Sequence, residues 1–157
     1  MIIKKYLPSK IKKIYILKFC GANKTQITKL QRVLNASVRF IFNLRKTQSV
    51  SEFAKDVHFL PVKYRIMYKS CVTVFKIMYD KAPEYLNDMV SYAVPSRPNL
   101  RSMHDILTLK LPDHTHGIHF NMIQNWNSLP FDLRHEPRLE VFKKKLKTFY
   151  FQVAYTT

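Results

Sequence analysis

The sequence predicts a mainly α-helical single domain with one short extended segment near residues 106–111, and three observations carry that expectation. Apolar residues recur at three- and four-residue steps along most of the chain. Glycine occurs only at positions 21 and 117, so few left-handed positions are available for tight hairpins. The 157 residues, 46% of them apolar, suffice for one hydrophobic core but are short for two.

The elements follow in order. Residues 1–18 form a basic extension, and a helical domain spans 19–153. From Asn23 onward Ile27, Leu30, Leu34, Val38, Ile41 and Phe42 repeat with helical spacing, and Asn23 with Gln26 reads as a capping box. Ser49 with Glu52 marks a second start, leading a short helix through Val57. In LPVKYRIMYKSCVTVFKIMYD, Pro61 suits a first helical turn. Its polar residues Arg65, Lys69, Thr73, Lys76 and Asp80 form one narrow stripe, while Val62, Ile66, Cys71, Val72, Phe75, Ile77 and Met78 fill the other directions. Such a helix belongs at the centre of a core.

Pro83 opens a further short helix through Val90, and VPSRPNLRS reads as a loop. Leu107, Leu109 and Leu111 alternate with Thr108 and Lys110, the pattern of a short strand or extended arm. Helical spacing returns from Ile118 to about Asn127, with Ile123 and Trp126 on one side. A last helix follows Pro137, its apolar face made by Leu139, Phe142, Leu146, Phe149, Tyr150 and Val153. Glu136 and Glu140 sit at its positive end, and Glu140 is one turn from Lys144.

The segment WNSLPFDLR joins these last two helices. The large ring of Trp126, the sole tryptophan, anchors the end of one helix by burial, and its indole N–H then needs an acceptor. Asn127 and Ser128 can satisfy loose backbone groups, Leu129 adds apolar surface, and Pro130 stops the helix. Asp132 and Arg134 brace the turn. The segment reads as a corner that folds the final basic helix back onto the core.

Charge bounds the function. Lys and Arg outnumber Asp and Glu by 27 to 10, a formal +17, and no acid precedes Glu52. An excess of this size repels itself unless counter-charge is near, so a sequence-tolerant anionic polymer, RNA or DNA, is the expected partner. The contacting residues expected are Lys29, Arg32, Arg39 and Arg45 in one patch, and Lys143, Lys144, Lys145 and Lys147 in another. No apolar run reaches the length of a membrane span, and Lys18 cuts the stretch from Ile14 to Leu17 that would serve a signal peptide. The acid-free start resembles a mitochondrial presequence but has no arginine before Arg32. The expected location is a cytoplasmic or nuclear ribonucleoprotein, without secretion.

Catalytic chemistry is sparse. The acids are scattered, and two glycines leave no phosphate-cradling loop. His114, His116 and His119 in HTHGIH have the donor type for zinc, but only Asp113 stands near them and no cysteine does, so a solvated histidine-rich loop is the better reading and no metal is expected. Cys71 with His58 could make a nucleophile pair, against which stands the place of Cys71 on a core helix. Cys20 and Cys71 form no disulfide framework, and no cofactor is expected.

With the elements placed, KLQRVLNASVRFIF, FLPVKYRIMYKSCVTVFKIMYDKAPEYLNDMV, PSRPNLRS, WNSLPFDLR and FKKKLKTFYF, in that order, resemble the carboxy-terminal region of non-LTR (LINE-type) retrotransposon reverse transcriptases. The resemblance covers about Phe19 to Phe151. It implies a region downstream of the polymerase fingers and palm, with a role in the ribonucleoprotein in which element RNA is copied at a nicked chromosomal target. The paired palm aspartates, the endonuclease domain and a cysteine-rich knuckle have no counterpart in these residues, so the resemblance transfers no catalytic residue. It implies a reading frame left by a truncated element copy, starting at a convenient methionine. The expectation is a non-catalytic, nucleic-acid-binding fragment. Two alternatives stand beside it: a helical module that docks on a separate reverse transcriptase core, and a remnant with no selected function.

Overall fold

The computed structural model describes residues 19–93 and 107–156. The basic extension, the VPSRPNLRS loop and the first residue of the expected extended segment lie outside the described residues. The rest is mainly helical, a single domain.

After a 3-10 turn at Phe19–Gly21, the chain enters α1 (Lys24–Ile41) through the capping box. The Asn23 side chain accepts the Gln26 N–H at 2.9 Å, and Gln26 accepts the Asn23 N–H at 3.2 Å. Helix α2 (Val50–Asp56) starts at Ser49, whose hydroxyl accepts the Ser51 N–H at 3.3 Å rather than closing a box with Glu52. Helix α3 (Val62–Met78) has Pro61 at its cap, one residue before the first turn. Proline has no side-chain acceptor to offer, so the orphan Val62 N–H is met from α1, by Gln31 Oε1 at 2.8 Å.

Three helices end in the same way, and not with glycine. Asn43, His58 and Asp80 have φ of 50°, 52° and 49°, each two residues past the last helical residue of α1, α2 and α3. At each, the next N–H reaches back five residues in a Schellman pattern: Leu44 to Arg39 O (2.9 Å), Phe59 to Ala54 O (2.8 Å), Lys81 to Lys76 O (2.7 Å). Scarcity of glycine therefore does not limit left-handed turns here; short polar side chains and a histidine take them over. Gly117, at φ 105°, starts α4 (Ile118–Asn127) in a conformation that other residues adopt with strain.

The segment expected to follow Pro83 as a short helix is 3-10, Glu84–Met89. Beyond it Tyr92 and Leu109 form an isolated antiparallel bridge, held by Ala93 N–H to Thr108 O (3.0 Å) and Lys110 N–H to Ser91 O (2.8 Å). The extended segment is thus an arm rather than a sheet strand. Helix α5 (Phe131–Arg134) is a single turn, and α6 (Leu139–Tyr155) closes the fold.

Helix α3 lies at the centre, packed by α4 and α6. Cys71, Val74 and Phe75 on α3 have no exposed surface, nor do Ile123 and Trp126 on α4 or Phe142 and Leu146 on α6. Phe75 stacks on Phe142 (centroids 4.6 Å apart) and on Tyr79 (4.4 Å), and Trp126 meets Phe142 at 5.8 Å. Helix α1 rests on α2 and α3 instead of on this aromatic stack. Of its apolar stripe Val38 is buried and Ile27, Leu30 and Leu34 are half-buried, while Ile41 and Phe42, at the end where the chain turns away, are exposed.

Candidate nucleic-acid interface

The corner fixes how α6 presents its charge. Trp126 Nε1 donates to Leu107 O at 2.9 Å. Asn127 clamps the backbone of Leu109 on both sides, accepting its N–H at 3.0 Å and donating to its carbonyl at 2.8 Å. Arg134, nearly buried, donates from Nη1 to Thr108 Oγ1 at 3.1 Å. All three side chains therefore converge on residues 107–109 of the extended arm. Leu129 is buried beside them, Ser128 Oγ donates to Asn125 O at 2.8 Å, and Pro130 caps the single turn of α5. This is a packed joint in which Trp126, Asn127 and Ser128 are spent on backbone and Arg134 holds the Thr108 hydroxyl.

The lysines of α6 divide by what their neighbours take. Glu136 is buried at the entry to the helix and accepts Lys145 Nζ at 2.7 Å and Arg138 Nε at 3.2 Å. The Lys145 ammonium, aided by Arg138, holds the Glu136 carboxyl below its ordinary range against the effect of burial. Glu140 pairs with Lys143 at 2.6 Å, three residues on, in place of the expected Lys144; that contact lowers its pKa too. Lys144 and Lys147 are exposed, with no carboxylate in ion-pair distance among the described residues.

The expected arginine patch is also divided. Arg39 donates from Nη1 to the carbonyls of Arg45 and Gln48, both at 3.0 Å, and so braces the loop between α1 and α2. Arg32 and Arg45 are exposed. Lys29 shares the outer face of α1 with Val33 and Phe40, which are 66% and 89% exposed.

Two grooves adjoin these cations. One, of about 580 Å³, runs between α1, α2, the start of α3 and the end of α6, with Arg32 and Lys63 among its lining and no carboxylate. The other, of about 570 Å³, lies between α5 and α6, where Lys144 and Lys145 share the lining with Asp132. The first is the better match for an anion, because nothing in its lining repels one.

The remaining chemical candidates are dispersed. His119 Nε2 is hydrogen-bonded to Met89 O, and His116 Nδ1 pairs with Thr115 Oγ1 at 2.8 Å. His114 and His119 rings lie 5.9 Å apart, and among the described residues no three His, Cys, Asp or Glu side chains are placed to hold a metal ion. Cys71 faces Tyr150 Oη at 3.4 Å, while His58 is exposed and packs its ring on Phe151. Burial pushes the Cys71 thiol up to about 12, the opposite of an activated nucleophile. Among the described residues no helix is long and apolar enough to cross a membrane.

No protein-family model, no curated protein and no solved structure matches the chain. The groove residues Gln31, Asn35, Lys63 and Tyr64 escape a reading of the sequence for charge clusters alone. Gln31 had a signal: it is a polar residue on the inward face of α1, between Ile27 and Leu34.

Proposed function

We propose that this chain is a non-catalytic nucleic-acid-binding domain of the kind found at the carboxy-terminal end of LINE-type reverse transcriptases, gripping phosphate through lysine and arginine without reading sequence. The observation that carries the proposal is the exposed set Lys29, Arg32, Arg45, Lys144 and Lys147 on a chain of net charge +17. Point charges of this kind need no special geometry to meet phosphate, and released counterions drive the association. The test is equilibrium binding to RNA over a range of salt. With about six phosphates neutralised, log affinity falls against log salt with a slope of about −4 on single strands and about −5 on duplex. Binding that is flat with salt contradicts the proposal.

A second reading is favoured by one observation. Val33, Phe40 and Ile41 on α1 are exposed to 66%, 89% and 53%, an apolar surface suited to docking on a polymerase core. That reading requires specific protein binding with little affinity for RNA.

A further inference from the structure

We infer that the groove between α1, α2 and the end of α6 seats one unstacked base of a single-stranded nucleic acid, with Arg32 and Lys63 on the flanking phosphates. The inference rests on the proposed nucleic-acid reading and gives it a location and a strand preference.

The chain of hydrogen bonds at the groove begins with a backbone group. Val62 N–H has no helical partner and takes Gln31 Oε1 at 2.8 Å. That fixes the Gln31 amide, so its Nε2 must donate, and it does so to Asn35 Oδ1 at 2.8 Å. Asn35 is then fixed in turn. Its oxygen is occupied, and its Nδ2 group remains as an oriented pair of donors in the groove lining, with no partner among the described residues. Every nucleobase presents carbonyl oxygens or ring nitrogens that accept hydrogen bonds, which such a donor needs.

The other walls suit the same ligand. Ile27, Val50 and Ala54 supply apolar surface, and half-buried Tyr64 supplies an aromatic face. Lys63 Nζ lies 5.7 Å from the Tyr64 centroid, and Arg32 is exposed on α1, so cations line the groove from two elements. Tyr155, whose hydroxyl is tied to Phe59 O, also lines it. The volume of about 580 Å³ falls within the usual range of small-ligand sites, roughly 300–1,000 Å³. A base held in duplex has its pairing edge and both faces already engaged, whereas an unstacked base has them free for the groove. An apolar peptide would leave Arg32, Lys63 and the Asn35 donors without complement.

The decisive substitution is Asn35→Asp. It keeps the oxygen that accepts Gln31 and replaces only the donors, by a carboxylate. With full-length chain and a labelled single strand of about twelve nucleotides, Asn35→Asp and Arg32→Gln should each weaken anisotropy-measured binding about tenfold, as should loss of base stacking in Tyr64→Leu. A duplex of the same sequence should lose less than the single strand does from each of the three variants, and least from Tyr64→Leu, which removes no charge. Substituting Lys144 and Lys147 by Gln should weaken both ligands alike. Arg32 is exposed, so Arg32→Gln keeps the test open even where another variant folds poorly. Photo-crosslinking of a 4-thiouridine strand should place adducts on Tyr64 or its groove neighbours.

The groove is overturned if the parent chain binds single strands but Asn35→Asp and Arg32→Gln bind them equally well. It is overturned also if these variants weaken duplex to the same extent, or if adducts map only to α6. A free mononucleotide binding as tightly as the strand overturns the strand assignment. If the parent chain binds neither single strand nor duplex, the broader reading falls and takes the groove with it.

Discussion

Helices α3, α4 and α6 and helices α1 and α2 use similar residues to different ends. In the first group an aromatic ladder runs from half-buried Tyr79 through Phe75 and Phe142 to Trp126, the last three closed from water, and the corner locks it with hydrogen bonds to the backbone of residues 107–109. In the second, Val38 is the one buried residue of an 18-residue helix, an open groove remains beneath it, and Phe40 projects outward. One half is finished by its own contacts; the other leaves surface for a ligand or a partner. The difference places the closed core in α3, α4 and α6 and the open apolar surface on α1 and α2.

The sharpest way to break this comparison is in the ladder. Phe75→Ala removes a ring with no exposed surface from between Tyr79 and Phe142, and should cost about 3–5 kcal/mol in urea unfolding. A loss below about 1 kcal/mol would mean that the ladder is not the structural centre. Next is Asn127→Ala, which leaves both backbone groups of Leu109 without their side-chain partner. Each stranded group costs about 1–3 kcal/mol, so a drop of roughly 2–6 kcal/mol is expected.

The ladder and the corner are legible in sequence, and the groove is not, for a physical reason. Helical spacing places Phe75, Phe142, Ile123 and Trp126 inward because burial of large rings is set by the pattern of one helix at a time. The bounds Ile118–Asn127 and the capping box at Asn23 are likewise local. Arg39 looks free in sequence because the carbonyls it grips belong to a loop whose path depends on a left-handed Asn43. The pairing of Glu136 with Lys145 spans nine residues and requires the entry angle of α6. The groove depends on helices brought together from residues 27 to 155, and no local pattern encodes such a meeting.

A smaller effect distinguishes the ladder in alkali. Burial raises the pKa of Cys71 to about 12 from an ordinary 9.0, and it raises that of Tyr150, its hydrogen-bond partner. Between those values the unfolded chain has released a thiol proton that the folded chain still holds. Stability contributed by the neutral thiol is therefore complete below pH 9.0 and is lost as pH rises toward 12. Urea midpoints should fall over that interval, and Cys71→Ala should make the fall less steep even though it lowers the starting value. An unchanged slope in the variant would show that Cys71 is reached by solvent.

The smallest expected effect probes the other half of the comparison. Phe40 is 89% exposed and has Val33, Ala36 and Lys29 as its neighbours on the outer face of α1. A ring left in water contributes almost nothing to folding, so Phe40→Ser should change stability by no more than about 0.5 kcal/mol. It should nevertheless reduce the binding of an apolar dye, because it removes the most exposed part of that surface. A loss of stability above about 2 kcal/mol would mean that the ring is covered in solution, by another copy of the chain or by a bound protein. Dilution separates those two: stability that falls with protein concentration in the parent chain, but not in the Phe40→Ser variant, identifies self-association through α1. Stability independent of concentration in both, with the expected small change, leaves α1 as open surface, as the contrast with the aromatic ladder requires.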